Sequence, residues 1–335
     1  MSKPAFISDE DVTAALTPAT LLKTVEDALA GISRGQILNG GKVSVALDDQ
    51  DGVRALHAMV GVLLEESIAG VKWVGTYNRN SARGLPRAPA TMILTDSVTG
   101  ALLAIVEATS LTAQRTAAAA VVAARRCARR PPRRAGILGF GAIGKCLVPL
   151  LASAFELETV AIWSGGSKRI HDEAELLKSR HKLEVVVSDR PEGAAMNADI
   201  VFTASGLTED KPFLTRAMIR EHTVVCAVGS YQEISDDIIQ SSEMLVVDDW
   251  SGCSKRGNLA SAVRRGLLTK SSVHWELPDL VARSSLIANS ECIRSPTVVM
   301  VGLGALDVAI AKELLRSSPT ETYTAGTVET AAVVR

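Results

Sequence analysis

Hydrophobic and polar positions change their period several times along this chain. Over residues 8–34 the apolar positions Leu21, Leu22, Val25, Ala28 and Leu29 recur every three or four residues, the spacing of a one-sided helix. Ser8-Asp9-Glu10-Asp11-Val12 supplies an N-cap and an acidic first turn. From Lys42 to Leu103 the period shortens. Val43, Val45 and Leu47 alternate with polar residues, residues 71–74 read as a strand, and residues 91–94 pair with 101–106 across the turn at 96–100. A long helix follows from about Ser110 to Arg129 and stops at Pro131-Pro132. Its alanine-rich stretch, 117–124, is a buried turn or two and too short to cross a bilayer.

Beyond the prolines, strands and helices alternate. Residues 135–138 form a short apolar strand that ends in Gly139-Phe140-Gly141-Ala142-Ile143-Gly144, and Lys145 opens a helix. That order suits a dinucleotide. Gly139 allows a tight turn, Gly141 lets the backbone approach a pyrophosphate, and Gly144 lets helix and strand pack closely, while the helix N-terminus offers unpaired N–H groups. Strands at 159–163, 183–187, 198–204, 223–228 and 244–247, with a helix at 171–181, imply parallel pairing with right-handed crossovers. Thr203, Ala204, Ser205 and Val228 fall at carboxyl ends of strands, where open sheets bind ligands. A last helix, 306–316, follows Gly302-Leu303-Gly304 and is expected to return to the first domain; the tail after Ser317 reads as poorly ordered.

Composition narrows the class. At 335 residues, 47% hydrophobic and 22% charged, the chain has room for two soluble-type domains. A net charge of −1 provides no global field for nucleic acid or membranes. The arginines at 125, 126, 129, 130, 133 and 134 read as a solvated helix end, since no aromatic residues interleave for base stacking. Five scattered cysteines without a Cys-x-x-Cys pair suggest reduced thiols and a cytoplasmic location, and five histidines without ligand spacing argue against a metal.

The turn after the second strand of the nucleotide half, Ser164-Gly165-Gly166-Ser167-Lys168-Arg169, carries no acid to hold ribose hydroxyls. Ser164, Ser167, Lys168 and Arg169 would suit a ribose 2′-phosphate, which favours NADP(H) over NAD(H). An ordinary Lys-Arg pair at a helix start is the plain alternative.

Several blocks resemble those of the ornithine cyclodeaminase/mu-crystallin family over nearly the whole chain: residues 69–75, 82–86, 95–100, Leu111-Thr-Ala-Gln-Arg115-Thr116, the glycine loop, 198–203, and Gly302-Leu-Gly-Ala-Leu-Asp307. Lys42, Val106-Glu-Ala108 and Val246-Val-Asp-Asp-Trp-Ser251 followed by Cys253 are most similar to its diaminopropionate-synthesis branch, whose dehydrogenase oxidatively splits N-(1-amino-1-carboxy-2-ethyl)-glutamate. The resemblance implies an α/β fold: an α+β substrate-binding and dimerisation domain over residues 1–128, completed by 305–335, and a Rossmann NAD(P)-binding domain over 129–304. It implies a homodimer acting on a small amino or imino acid by hydride exchange with a nicotinamide. It also implies that Lys72 and Arg115 are the active-site and carboxylate-binding cations, that Lys42 stands where cyclodeaminases carry an arginine, and that Thr91 and Thr116 lie near the cofactor.

Physical chemistry points the same way for the cations. A substrate carboxylate gripped by fixed charges from separate elements holds the α-carbon in one place, and Arg115 offers a bidentate fork. A buried cation needs an anion, and Lys72 lies inside an apolar strand. Partly desolvated beside other cations, such a lysine has a lowered pKa and can exchange a proton.

The chain departs from the cyclodeaminase pattern at three places. Tyr231 takes the slot of an aspartate, His57 that of a glutamate, and Met300 that of a serine. Glu233 remains an alternative acid. His57 and Tyr231 read as polar contacts to a larger substrate or as a proton relay, with a satisfied strand histidine as the plain alternative for His57. Asp248, Asp249 and Trp250 read as a strand end, a helix cap and a packed indole, and Asp307 as capping or orienting the final helix. The expected function is an NAD(P)-dependent oxidoreductase at an amino-acid C–N bond, of the N-(carboxyalkyl) amino acid dehydrogenase type. Ketimine or imino-acid reduction and ornithine or lysine cyclodeamination are the enzymatic alternatives. A non-enzymatic binder is the alternative from another class.

Overall fold

A computed structural model describes residues 3–47, 54–165, 170–283 and 294–317. Ser167, Lys168 and Arg169 of the ribose turn, and the tail after Ser317, lie outside the described residues. Two sheets carry the chain. The first holds β1 (Ala5–Ile7), β2 (Ile37–Leu47), β3 (Arg54–Leu63), β4 (Ile68–Tyr77), β5 (Ala90–Asp96) and β6 (Leu102–Glu107) in the order β1-β6-β5-β4-β3-β2. Its pairs are antiparallel apart from β1 with β6.

The second sheet is parallel throughout. It contains β7 (Arg134–Leu138), β8 (Thr159–Trp163), β9 (Glu184–Ser188), β10 (Ile200–Thr203), β11 (Val224–Ala227), β12 (Met244–Val247), β13 (Trp275–Glu276) and β14 (Pro296–Val299) in the order β13-β12-β14-β11-β10-β7-β8-β9. The chain leaves β7 toward β8 and β9, then crosses back to β10 on the other side. That reversal opens a crevice beyond the carboxyl ends of β7 and β10, where such sheets bind ligands. The central strand β14 escapes a sequence reading because it is short and opens on a proline. Proline is tolerated at the first residue of a strand, and Pro296–Val299 is wholly buried between β11 and β12.

Helices fill the space between the sheets. The first two, α1 (Asp9–Ala15) and α2 (Pro18–Ser33), start at Ser8 and Thr17, whose hydroxyls accept from the backbone N–H of Asp11 and Thr20. The third, α3 (Thr109–Cys127), buries an unbroken run from Ala117 to Ala124 and packs on α2, β5 and β11 as well as on the glycine-loop helix, α4 (Ala142–Ala154). Only small side chains let one helix approach so many neighbours.

The last described helix, Gly304–Ser317, packs on β2, β3 and β4. Glycines bring the backbones together. A Cβ on Gly61 of β3 would stand 2.5 Å from Ala305 Cα, and one on Gly304 would stand 2.9 Å from the Met59 carbonyl carbon. Gly61→Val therefore forces the helix off the sheet and should destabilise the protein by about 1–3 kcal/mol in urea unfolding. A midpoint unchanged from the parent would show that the helix can yield there.

Candidate active site

Sheet geometry places two lysines on one face. In the β2–β3–β4–β5 register, Lys42 faces Met59, Met59 faces Lys72, and Lys72 faces Met92. Residues directly opposite share a face, so Lys42 and Lys72 flank Met59 on the inner side, about 10 Å apart at their Cα atoms. The next row on that face carries Ser44, His57 and Val74, and His57 Nδ1 lies 2.8 Å from Ser44 Oγ.

Lys72 is completely buried. Its compensating anion comes from the other end of the chain: Nζ lies 2.7 Å from Asp307 Oδ1, on the first turn of the last helix. The same oxygen accepts from Arg115 Nε of α3 at 2.9 Å. Asp307 is itself fully buried, so its expected role as a helix cap or orienter understates it: it is the counter-ion of the site. With Nε engaged, the outer nitrogens of Arg115 have no partner among the described residues and border the cleft. Gly302 makes room for them. Its φ is +97°, and a Cβ there would meet Arg115 Nη1 at 2.8 Å.

One carboxylate against several cations perturbs the lysines. Burial, then Arg115, lowers the Lys72 pKa to about 7 against the opposing pull of Asp307. Lys42 drops to about 6, through burial first and then Arg256, Lys72 and Arg115. Burial and the nearby Lys42 hold His57 neutral, at about 3. Both lysines thus exchange protons near neutrality and gain charge when an anion enters.

The facing wall is the nucleotide half. Gly139 has φ +110°, and a Cβ there would stand 2.3 Å from the Ala204 carbonyl carbon, while one on Gly144 would stand 2.1 Å from the Gly139 oxygen. Gly141 differs: nothing lies within 4 Å of its Cβ position. It precedes α4, whose N-terminus has no side-chain cap. A turn closed behind, open in front, and leading into free amides fits a dinucleotide pyrophosphate. The residues that would hold it are Gly139, Gly141, Ala142, Ile143 and Gly144, with the backbone of Ala204 and Ser205 alongside. Among the described residues no group of His, Cys, Asp or Glu side chains is arranged to hold a metal.

Lys42, His57, Lys72, Arg115, Thr116, Ile143 and Val228 border one cleft. Tyr231 lies in a groove that continues from it past His57. Thr91 is expected near the cofactor but is exposed and pairs with Trp73, on the sheet face opposite Lys72, because successive strand residues alternate sides. Ser205 donates its N–H and its hydroxyl to Glu233 Oε1, beside the buried Thr203, and burial raises the Glu233 pKa. Glu233 therefore serves the fold beneath the strand ends and does not border the cleft. Ser164 follows β8, and no acid occupies residues 164 and 165. Asp249 caps a short helix, accepting from Ser251 and Gly252.

Three further contributors were not singled out by the sequence, which offers Asp248 only as a strand end and passes over Arg87 and Arg256. Asp248 and Arg256 border the cleft, and Arg87 ties the halves together by donating to the carbonyls of Gly206 and Leu207 at 2.6 and 2.9 Å. Each depends on loop contacts between residues far apart in sequence, which no local spacing announces.

The pattern that defines the ornithine cyclodeaminase/mu-crystallin family matches residues 2–287. An N-((2S)-2-amino-2-carboxyethyl)-L-glutamate dehydrogenase of Staphylococcus aureus is 28% identical over 69% of this chain and 68% of its own length. A Delta(1)-pyrroline-2-carboxylate reductase of Paracoccus denitrificans is 29% identical over 94% of this chain and 97% of its own. Among solved structures, an archaeal alanine dehydrogenase dimer with bound NAD superposes with a TM-score of 0.79 at 26% identity, covering 93% of this chain and 95% of the other.

Removing the shared counter-ion leaves two buried cations facing each other. Asp307→Asn should cost about 3–5 kcal/mol in urea unfolding. A loss below about 1 kcal/mol would show that the site does not depend on this carboxylate.

Proposed function

Because the chain belongs to the ornithine cyclodeaminase/mu-crystallin family, we propose that it is an NAD(P)-dependent oxidoreductase acting at the C–N bond of an amino or imino acid, of the N-(carboxyalkyl) amino acid dehydrogenase type. The observation that carries this reading is the meeting of Lys72, Arg115 and Lys42 with Ile143 of the glycine-loop helix in one cleft. A nicotinamide nucleotide bound there supplies or accepts the hydride. The protein's own groups do the rest. The free nitrogens of Arg115 and the ammonium of Lys42 grip the substrate carboxylate, which fixes the α-carbon. Lys72, with its pKa near 7, holds or releases the proton that accompanies the change in C–N bond order. Met59, Val74, Met300 and Leu303 line the cleft and limit water around the reacting carbon.

The Staphylococcus relative supports the dehydrogenase type, and the Paracoccus relative supports imino-acid reduction as the second reading. Cyclodeamination fares worse because the two acids at the cleft are committed, Asp307 to the cations and Asp248 to four donors. A pure binder has no use for a buried lysine poised near neutrality. Ser164, in place of an acid after β8, favours NADP(H). Buried free thiols at Cys127, Cys226 and Cys253 suit the cytoplasm.

We assign substrate binding and dimerisation to the first sheet with the last helix, and nucleotide binding to residues 129–304. On the outer face of that sheet, Phe6, Ile105, Ile93, Val71 and Val60 form one cross-strand row, with Phe6 66% and Ile93 43% exposed. An apolar band of that extent marks an interface, and we infer that a second copy of the chain covers it.

Nicotinamide absorbance should change when N-(carboxyalkyl) amino acids or cyclic imino acids are added with NADP(H) or NAD(H). Lys72→Met should lower kcat by at least about 100-fold with nucleotide affinity kept within about threefold. Turnover that survives the change removes Lys72 from the chemistry, and flat traces across both substrate panels remove the function. Ile93→Glu should convert the dimer to monomer in light scattering; an undisturbed dimer would place the interface elsewhere.

A further inference from the structure

The loop after β10 is where the nucleotide half meets the strand that carries Lys72. In a sheet of this order a dinucleotide lies across the reversal, with its adenosine at the end of the second strand, here β8. The nicotinamide half then reaches over β10 and β11, the side on which Ile143 and Val228 border the cleft. Residues 204–207 are the wall on that side. A Cβ on Gly139 would stand 2.3 Å from the Ala204 carbonyl carbon and 2.4 Å from Ser205 Cα.

Two side chains fasten this loop. Within the nucleotide half, Glu233 Oε1 accepts from the Ser205 N–H at 2.9 Å and from the Ser205 hydroxyl. From the first sheet, Arg87 Nη1 donates to the Gly206 carbonyl at 2.6 Å and Nη2 to that of Leu207 at 2.9 Å. Gly206 makes room for that fork, since its φ is +71° and a Cβ there would meet Arg87 Nη1 at 2.7 Å. The guanidinium is braced in turn, with Nε and Nη2 donating to Asn78 Oδ1 at 3.2 and 3.1 Å. Its main chain is tied to β4. The Arg87 carbonyl accepts from the Tyr77 N–H at 2.9 Å, and that of Pro89 from Gly75 at 3.1 Å. Ala88, between them, borders the cleft.

These acceptors of Arg87 are neutral oxygens, and Gly206 is exposed, so its carbonyl could equally be met by water. What the contact adds is geometry: a planar fork spanning two successive carbonyls fixes the loop against the strand of Lys72. We propose that Arg87 is a positioning residue for the nicotinamide half of the cofactor. Acting through residues 204–207, it sets where the redox ring lies relative to Lys72 and the substrate carbon. This rests on the reading of the cleft as a nicotinamide-dependent site. Without the clamp the loop must be ordered at the moment of binding, which opposes binding of the nicotinamide half. The adenosine half, held at the glycine turn and β8, is spared.

Calorimetric titration with NADP+ and NAD+, and with their adenosine halves 2′,5′-ADP and AMP, tests it. In Arg87→Gln the dinucleotides should bind roughly 10-fold more weakly, while the adenosine halves stay within about twofold of the parent protein. Arg87→Lys, which keeps the charge but cannot span both carbonyls, should recover only part of the loss. Asn78→Ala leaves the guanidinium and removes its brace, and should weaken the dinucleotides alone, by about threefold. It decides the matter if Arg87→Gln fails to fold, thermal unfolding being followed for each variant. Equal losses for dinucleotides and adenosine halves, or dinucleotide affinities unchanged in the folded variants, would overturn the assignment. If the parent protein binds no dinucleotide, the nicotinamide reading of the cleft fails, and the assignment with it.

Discussion

A single carboxylate governs this molecule's interior. Two cations, one from a central strand and one from a long helix, are placed where water does not reach, and the cost of such charges is tolerable only beside an anion. Asp307 provides it with one oxygen, in contact with Lys72 and Arg115 together. The geometry around it follows. The last helix must lie against β3 and β4 closely enough for its first turn to reach Lys72, hence glycine at 61, 70 and 304. Arg115 must pass the loop after β14, hence glycine at 302. The alanine face of α3 lets that helix sit between both sheets while delivering Arg115 to the junction.

The chemistry grows out of an incomplete neutralisation. If each cation had its own acid, the cleft would be inert, a set of closed salt bridges. One acid for two cations, with Lys42 and Arg256 in no ion pair among the described residues, keeps a positive field that an incoming carboxylate satisfies. Burial first, and then that field, depresses the lysine pKa values to about 6 and about 7. The nucleotide half adds the opposite kind of surface, a turn whose middle glycine faces open space and whose helix begins with unbound amides. Arg87, reaching from the first sheet's loop to the carbonyls of Gly206 and Leu207, fixes the two walls against each other.

Much of this was legible in the sequence because it is written in local patterns. The period-two run around β2, the hairpin of β5 and β6, the alanine-rich helix and the glycine turn are read from neighbouring residues, and β8 and β12 fall where their apolar runs place them. Lys72 stood out because a lysine inside an apolar strand demands an explanation. What stayed hidden is what long-range contact decides. Asp307 looked like a cap because a helix-start aspartate usually is one, and its partners lie on distant elements. Arg256 sits in a loop with no periodicity. Thr91 illustrates the converse: nearness in sequence to a functional block says nothing about which side of a strand a residue takes, and one position decides it.

The separation between the shared anion and its partners also bears on how the chain comes into being. Arg115 and Asp307 are 192 positions apart. During synthesis the first sheet and α3 leave the ribosome long before their counter-ion, so until then the charge on Arg115 is compensated by water alone. The dry closure of the inner face therefore depends on a contact that joins the two ends of the sequence order, and it completes only after the nucleotide half has been made.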